Sequence, residues 1–272
     1  LGALFLAVLF AGGYLFVDYS NTLRVKEINL SLSGNGHPSR EKTALFLSDL
    51  HFSSADSGAT THLFHRIQAL KPDLIFLTGD YVRWFGKADD YAVARNFLNR
   101  LAAPLGVFAT LGDSDYSNRR QNCLFCHSDN LAIPPVETNI HWLRDRFTDI
   151  AIGQDSVRII GIGVDSGKNR KEDVLDLLRR GRKNIVLSHS STLFDFVDND
   201  EDVLYLAGDT HGGQLYLPTF VWKLWSRKPD PDYMYGLFSE GRKKLYVTSG
   251  VGTSDINFRL GVPPEIVLLR FK

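Results

Sequence analysis

From residue 43 onward the chain alternates short apolar runs with amphipathic stretches, and most of the apolar runs stop on Asp or His beside Gly or Ser. Residues 43–48 read as a buried strand ending at Asp49-Leu50-His51, and 73–78 as a second ending at Gly79-Asp80. Residues 107–111 lead into Gly112-Asp113-Ser114-Asp115, 185–187 into Ser188-His189, and 203–207 into Gly208-Asp209-Thr210-His211. Further strands are expected at 157–162, 244–249 and 265–271, and helical spacing is found at 61–70, 91–101 and 171–180. Strands alternating with helices describe an α/β domain. A turn-rich stretch over 31–40 separates it from what precedes.

A lone Asp after a strand is ordinarily a turn former or a helix cap. Five strand ends that each carry a carboxylate or imidazole are a different matter, because α/β sheets gather ligand sites beyond the carboxyl ends of their strands. Glycines at the same places let the backbone turn where a side chain would obstruct it. The pattern predicts that these loops converge on one site.

The first 17 residues, before Asp18, carry no charge. As a helix rising about 1.5 Å per residue they would span about 25 Å, slightly less than the roughly 30 Å hydrocarbon core. A membrane anchor over 1–20 is the expectation, with a cleaved signal or a buried core helix as competing readings; no small-x-small cleavage site follows. The domain plan is then an anchor over 1–20, a linker and first strand over 21–42, and one domain over 43–272.

With 272 residues the chain can bury a sizeable core, and its 31 Lys plus Arg balance 31 Asp plus Glu. This neutrality argues against nucleic acid as a partner, since phosphate neutralisation supplies most non-specific affinity there.

The segments SDLHF (48–52), LTGDYV (77–82), LGDSDY (111–116), LSHS (187–190) and AGDTHGGQ (207–214), with the ending TSGVGTSDINFRLGVPPEIVLL, carry a family resemblance. The chain resembles the calcineurin-like metallophosphoesterases, in the branch of membrane-associated phosphodiesterases and UDP-2,3-diacylglucosamine pyrophosphatases. The resemblance runs from residue 43 to the end. It implies a two-sheet β-sandwich flanked by helices and two divalent metal ions (Mn, Fe, Zn or Mg). It also implies that Asp49, His51 and His211 bind one metal, that Asp80 bridges, and that Asp113, His189 and Asp209 complete the second site. Two cations roughly 3.5–4 Å apart clamp a phosphate, acidify a water and stabilise in-line displacement.

Two segments depart from the family pattern. Gly-Asn-His-Asp/Glu is Gly112-Asp113-Ser114-Asp115 here, and Gly-His-x-His is Gly208-Asp209-Thr210-His211. Asp113 and Asp209 join Asp49 and Asp80, so the ligand set holds four carboxylates, which favours hard ions such as Mn²⁺ or Mg²⁺. The added negative charge makes a bound water less acidic, and activity is expected to peak at a higher pH than with a His/Asn set. Ser114 stands where the family places a His near the leaving group, and a hydroxyl cannot serve as a general acid near neutrality. Asp80, Asp113, Ser114 and Asp115 are the candidate catalytic positions, with Asp115 the remaining carboxylate beside Ser114. Loss of the histidine points to a diester or pyrophosphate bond with a good leaving group, and lowers the expected activity.

Both cysteines lie in NCLFCHSDN, inside what reads as an insertion over 117–140. Cys123, Cys126 and His127 match the attachment pattern of c-type haem, with His141 or Met234 as a second axial ligand. A local disulfide or an unused thiol pair are the alternatives. Residues 220–227 (FVWKLWSR) suit either a packed element or a membrane interface, Arg119 and Arg120 a second phosphate or solvent, and His62 and His65 the surface.

Two functions are thereby expected. The first is a membrane-anchored phosphoesterase that hydrolyses a phosphodiester or pyrophosphate bond, a lipid-linked substrate among the candidates, on the extracytoplasmic side. The second is a catalytically weak scaffold carrying haem for electron transfer or sensing.

Overall fold

The computed structural model describes residues 22–30, 41–115, 139–152, 155–164, 176–215, 232–254 and 257–271. Two six-stranded mixed sheets stack face to face. The first contains β1 (Arg24–Leu30), β2 (Lys42–Leu47), β3 (Leu74–Leu77), β4 (Val107–Ala109), β5 (Ile140–Trp142) and the last strand, β12 (Glu265–Phe271), in the order β1-β12-β2-β3-β4-β5. The second contains β6 (Arg146–Ile152), β7 (Asp155–Ile162), β8 (Lys183–Ser188), β9 (Val203–Ala207), β10 (Gly236–Glu240) and β11 (Lys243–Val247), in the order β10-β11-β9-β8-β7-β6. At the centre of each, β2-β3-β4-β5 and β7-β8-β9-β11 run parallel.

The central strands are continuous apolar runs because both their faces are buried. In β2, Ala44 and Phe46 belong to the cluster between the sheets, with Ile159, Ile185, Leu187 and Leu206. Leu45 and Leu47, on the other face, pack with Leu63, Ile67 and Phe97 of the helix layer. That layer is α1 (Ser57–Leu70) and α2 (Ala88–Asn99). Lys71, in the left-handed conformation at φ 46°, closes α1 just before Pro72. Beyond the second sheet, Ile160, Val186, Tyr205 and Leu245 pack with Phe194 and Val197.

The expected strands at 43–48, 73–78, 107–111, 157–162, 185–187, 203–207, 244–249 and 265–271 all appear, with bounds shifted by a few residues. The helices begin earlier than expected, at Ser57 and Ala88. Strands β5, β6 and β10 were not foreseen beyond the core pattern. β6 and β10 are sheet edges with alternating exposure, so their sequences lack an apolar run. Residues 1–20, most of 171–180, 119–120, 220–227 and the Cys123-Cys126-His127 segment lie outside the described residues. Among those described, no helix is long and apolar enough to cross a membrane.

Candidate metal centre

The parallel strands of both sheets direct their carboxyl ends to one place. Loops after β2, β3 and β4 bring Asp49, His51, Asp80 and Asp113, and loops after β8 and β9 bring His189, Asp209 and His211. The loops continue the ladder for a short way, with Asp49 N–H donating to Gly79 O (3.0 Å) and His51 N–H to Asp80 O (2.9 Å). They are then forced into turns. Asp49, His51, Asp80, Asp209 and His211 all have positive φ, between 45° and 71°. Residues other than Gly rarely adopt this region, and where they do the strain clusters at functional sites. The glycines explain how the loops come so close. A Cβ on Gly79 would lie 2.0 Å from Gly112 N, and one on Gly208 would lie 2.3 Å from Asp49 Oδ2.

The seven side chains predicted from the sequence gather on two sides of Asp80, and Asp49 is common to the two tightest clusters. On one side Nε2 of His51 and Nε2 of His211 are 3.0 Å apart, with Asp49 Oδ1 3.6 Å from His211 and Asp80 Oδ2 3.5 Å from His51. On the other, His189 Nε2 lies 3.4 Å from Asp80 Oδ1 and 3.9 Å from both Asp113 and Asp209. Asp80 therefore turns one oxygen to each group. The tightest clusters are Asp49-His51-His211 and Asp49-Asp80-His189; Asp113 and Asp209 stand at the rim.

The donor set fits divalent metal. Asp49 Oδ2 and His189 Nε2 are buried with no hydrogen-bond partner, although buried polar atoms are nearly always satisfied. His189 Nδ1 lies 3.0 Å from Thr78 O, which fixes the ring and leaves Nε2 directed at the carboxylates. Without a metal the charges are in tension. Burial pushes the Asp49 carboxyl up to about 7, helped by Asp80 and opposed by His189. Burial alone would lower the His189 pKa, but Asp80, Asp49, Asp209 and Asp113 outweigh it and raise it to about 10. His211 is held well below its ordinary value, first by burial and then by His51 and Arg259, and a neutral imidazole is the ligand form. Two divalent cations would balance four carboxylates.

Two of the candidate catalytic positions do other work. Asp115 is wholly buried and accepts three backbone N–H bonds, from Asp80 and Gly112 to Oδ2 and from Tyr81 to Oδ1, each 2.8 Å. It ties the loops after β3 and β4 together and has no free face for proton transfer. Ser114 Oγ donates to Val82 O at 2.6 Å, while its backbone N–H donates to Asp80 Oδ1 at 3.0 Å. Its contribution is to hold the shared carboxylate.

Sequence reasoning missed Arg259, the largest fully buried side chain among the described residues. Its guanidinium donates to Ser249 O at 2.7 Å, to Gly252 O, and towards His211 O at 3.4 Å. Burial lowers its pKa to about 10, with Asp49 and Glu265 opposing, so it stays charged at neutral pH. It braces the loop whose Gly252 N–H donates to Asp49 O (2.7 Å). Only its place in NFRLG, within the family-like ending, could have marked it. His62 and His65 are exposed, as expected, and the His141 ring stacks on Phe108 at 5.0 Å.

A strand-end cluster of Asp and His at the common edge of two stacked sheets is a candidate site for divalent metal. The calcineurin-like phosphoesterase family matches residues 42–213. The chain belongs to that family, whose members are metal-dependent hydrolases of phosphoester bonds. It is 29% identical over 267 residues to the uncharacterized metallophosphoesterase YkoQ of Bacillus subtilis, covering 96% of each chain. It is also 29% identical to the UDP-2,3-diacylglucosamine pyrophosphatase LpxG of Chlamydia trachomatis, over 92% of this chain and 89% of that one. With the phosphodiesterase YaeI of Escherichia coli it shares 30% identity over 83% of this chain and 80% of the relative.

Proposed function

We propose that this chain hydrolyses a phosphodiester or pyrophosphate bond in a lipid-linked substrate, with two divalent metals held by Asp49, His51, His211, Asp80, His189, Asp113 and Asp209. The observation that carries the reading is Asp80, whose two oxygens face two separate groups of donors. When bound, the metals would activate a water and neutralise the charge that builds on the phosphoryl oxygens. The protein's own part is positioning. Ser114 N–H fixes Asp80, the Thr78 carbonyl fixes His189, and Asp209 N–H donates to Asp49 Oδ1 at 3.1 Å, so the ligands are set before substrate arrives. No side chain at Ser114 is available as a general acid, which suits a leaving group that needs no proton.

The relatives with named activities are a UDP-2,3-diacylglucosamine pyrophosphatase and a phosphodiesterase, and both support this choice of bond. A membrane anchor over 1–20 would bring the centre to a lipid substrate, with the domain on the extracytoplasmic face. The test is hydrolysis of bis(p-nitrophenyl) phosphate and of UDP-2,3-diacylglucosamine in Mn²⁺. Turnover that is abolished by a chelator and restored by the metal is expected. Absence of turnover on both substrates in every divalent metal tried would overturn the reading.

A further inference from the structure

We propose, on the two-metal reading above, that Arg259 is a positioning residue for one of the two ions only. It holds the Gly252 carbonyl to which the His211 ring is bonded, and so keeps Nε2 of His211 turned to the centre.

A histidine that binds metal through one nitrogen needs the other nitrogen fixed. That second partner sets both the orientation of the ring and which nitrogen carries the proton. The two halves of the centre meet this need differently. In His189, Nδ1 lies 3.0 Å from Thr78 O. Thr78 directly follows β3 and its own N–H donates to Leu47 O at 3.2 Å, so the sheet holds that carbonyl. The His211 ring bonds instead to the backbone of Gly252. Gly252 lies in the loop between β11 and β12, where no strand ladder fixes a carbonyl.

Arg259 takes the place of the ladder. Its Nη2 donates to Ser249 O at 2.7 Å and to Gly252 O, and lies 3.4 Å from both Gly250 O and Nδ1 of His211. Its Nη1 donates to His211 O at 3.4 Å. One planar cation thus spans three carbonyls of the loop and the backbone of the ligand. A buried cation is costly unless charge-assisted bonds replace its hydration, and these carbonyls supply them.

The fold delivers Arg259 to this spot. Leu260 N–H donates to Gln214 O at 2.8 Å, and the Gln214 side chain bonds twice to Ser254, each time at 2.9 Å. The segment carrying Arg259 is thereby pinned to the loop carrying His211. Asp49 has supports of its own, with its N–H on Gly79 O and its Oδ1 accepting from Asp209 N–H. His211 belongs to the Asp49-His51-His211 cluster and not to Asp49-Asp80-His189. Freeing the Gly252 carbonyl therefore weakens the first cluster and spares the second.

Titration calorimetry and electron paramagnetic resonance of the full chain with Mn²⁺ read the two ions separately. The native chain should bind two ions and give the spectrum of a coupled pair. Arg259→Met should bind one ion as the native chain does and the other roughly 10–100-fold more weakly, with the spectrum of an isolated ion. Gly252→Ala displaces the same carbonyl with Arg259 in place, since its Cβ would lie 2.2 Å from Leu50 O. It should weaken the same ion, and it carries the test if Arg259→Met does not fold. Lys243→Met removes another buried cation, one that donates to Phe194 O and Val197 O beyond the second sheet. It should lower the melting temperature and keep both ions. Native affinity for both ions in the folded Arg259 or Gly252 variant, or equal weakening of both, would overturn the proposal. Loss of an ion from Lys243→Met would do the same, because metal would then follow stability alone. A native chain that holds fewer than two ions would overturn the two-metal reading, and the role of Arg259 with it.

Discussion

Around one half of the centre, the side chains of Asp49, His51 and His211 keep 0%, 6% and 7% of their surface, and all three backbones are forced to positive φ. On the other half only His189 is so enclosed, at 3%, while Asp113 and Asp209 keep 30% and 37%. The enclosed half is braced from behind by Arg259 and the loop over 249–252. The departures from the family pattern that the sequence leads one to expect at Asp113 and Asp209 fall on the open half. Ligands at a rim can be exchanged between His, Asn and Asp without disturbing a packed shell. Positive φ does not separate the halves, since Asp209 at the rim has φ 71°; enclosure does, and enclosed ligands have no such latitude.

The shared carboxylate joins the halves, so its removal has the largest effect. Asp80→Ala is expected to lower kcat/KM by about 10³-fold or more, since both donor groups lose a ligand at once. Steady-state kinetics at saturating Mn²⁺ reads this, and a loss under tenfold would separate Asp80 from the chemistry. Next comes Asp115→Ala, which leaves three buried amides without an acceptor and should cost about 3–5 kcal/mol in urea unfolding. The comparison itself is sharpened by paired ligand variants. His211→Ala should lose roughly tenfold more activity than Asp209→Ala, because His211 is nearly inaccessible and water replaces a missing ligand less readily there than at the exposed Asp209. Equal losses would show that enclosure does not separate the two halves. The smallest effect is expected for Ser114→Ala, which removes one hydrogen bond to Val82 O and should lower stability by about 1 kcal/mol.

Much of this was legible in the sequence for a definite physical reason. Strands buried on both faces must be apolar throughout, and a site at their ends must break that run with Gly, Asp or His. The runs before Asp49, Asp80, Asp113, His189 and Asp209 therefore announced both the core strands and the convergence of their loops. β6 and β10 were silent, because edge strands with one solvated face can be largely polar. The direction of a side chain was equally silent. Asp113 and Asp115 are two positions apart on one loop, yet the first stands at the rim 3.9 Å from His189 and the second is sealed among backbone amides. Arg259 escaped notice because nothing local distinguishes a buried arginine from a surface one. Its role exists only once the 249–252 loop and His211 have been brought together.

The two-group arrangement around Asp80 is tested most directly by counting metal. Native chain dialysed to equilibrium with Mn²⁺ and analysed for bound ions should hold about two per chain, one for each donor group. Fewer than one ion per chain under metal-replete conditions would contradict the account.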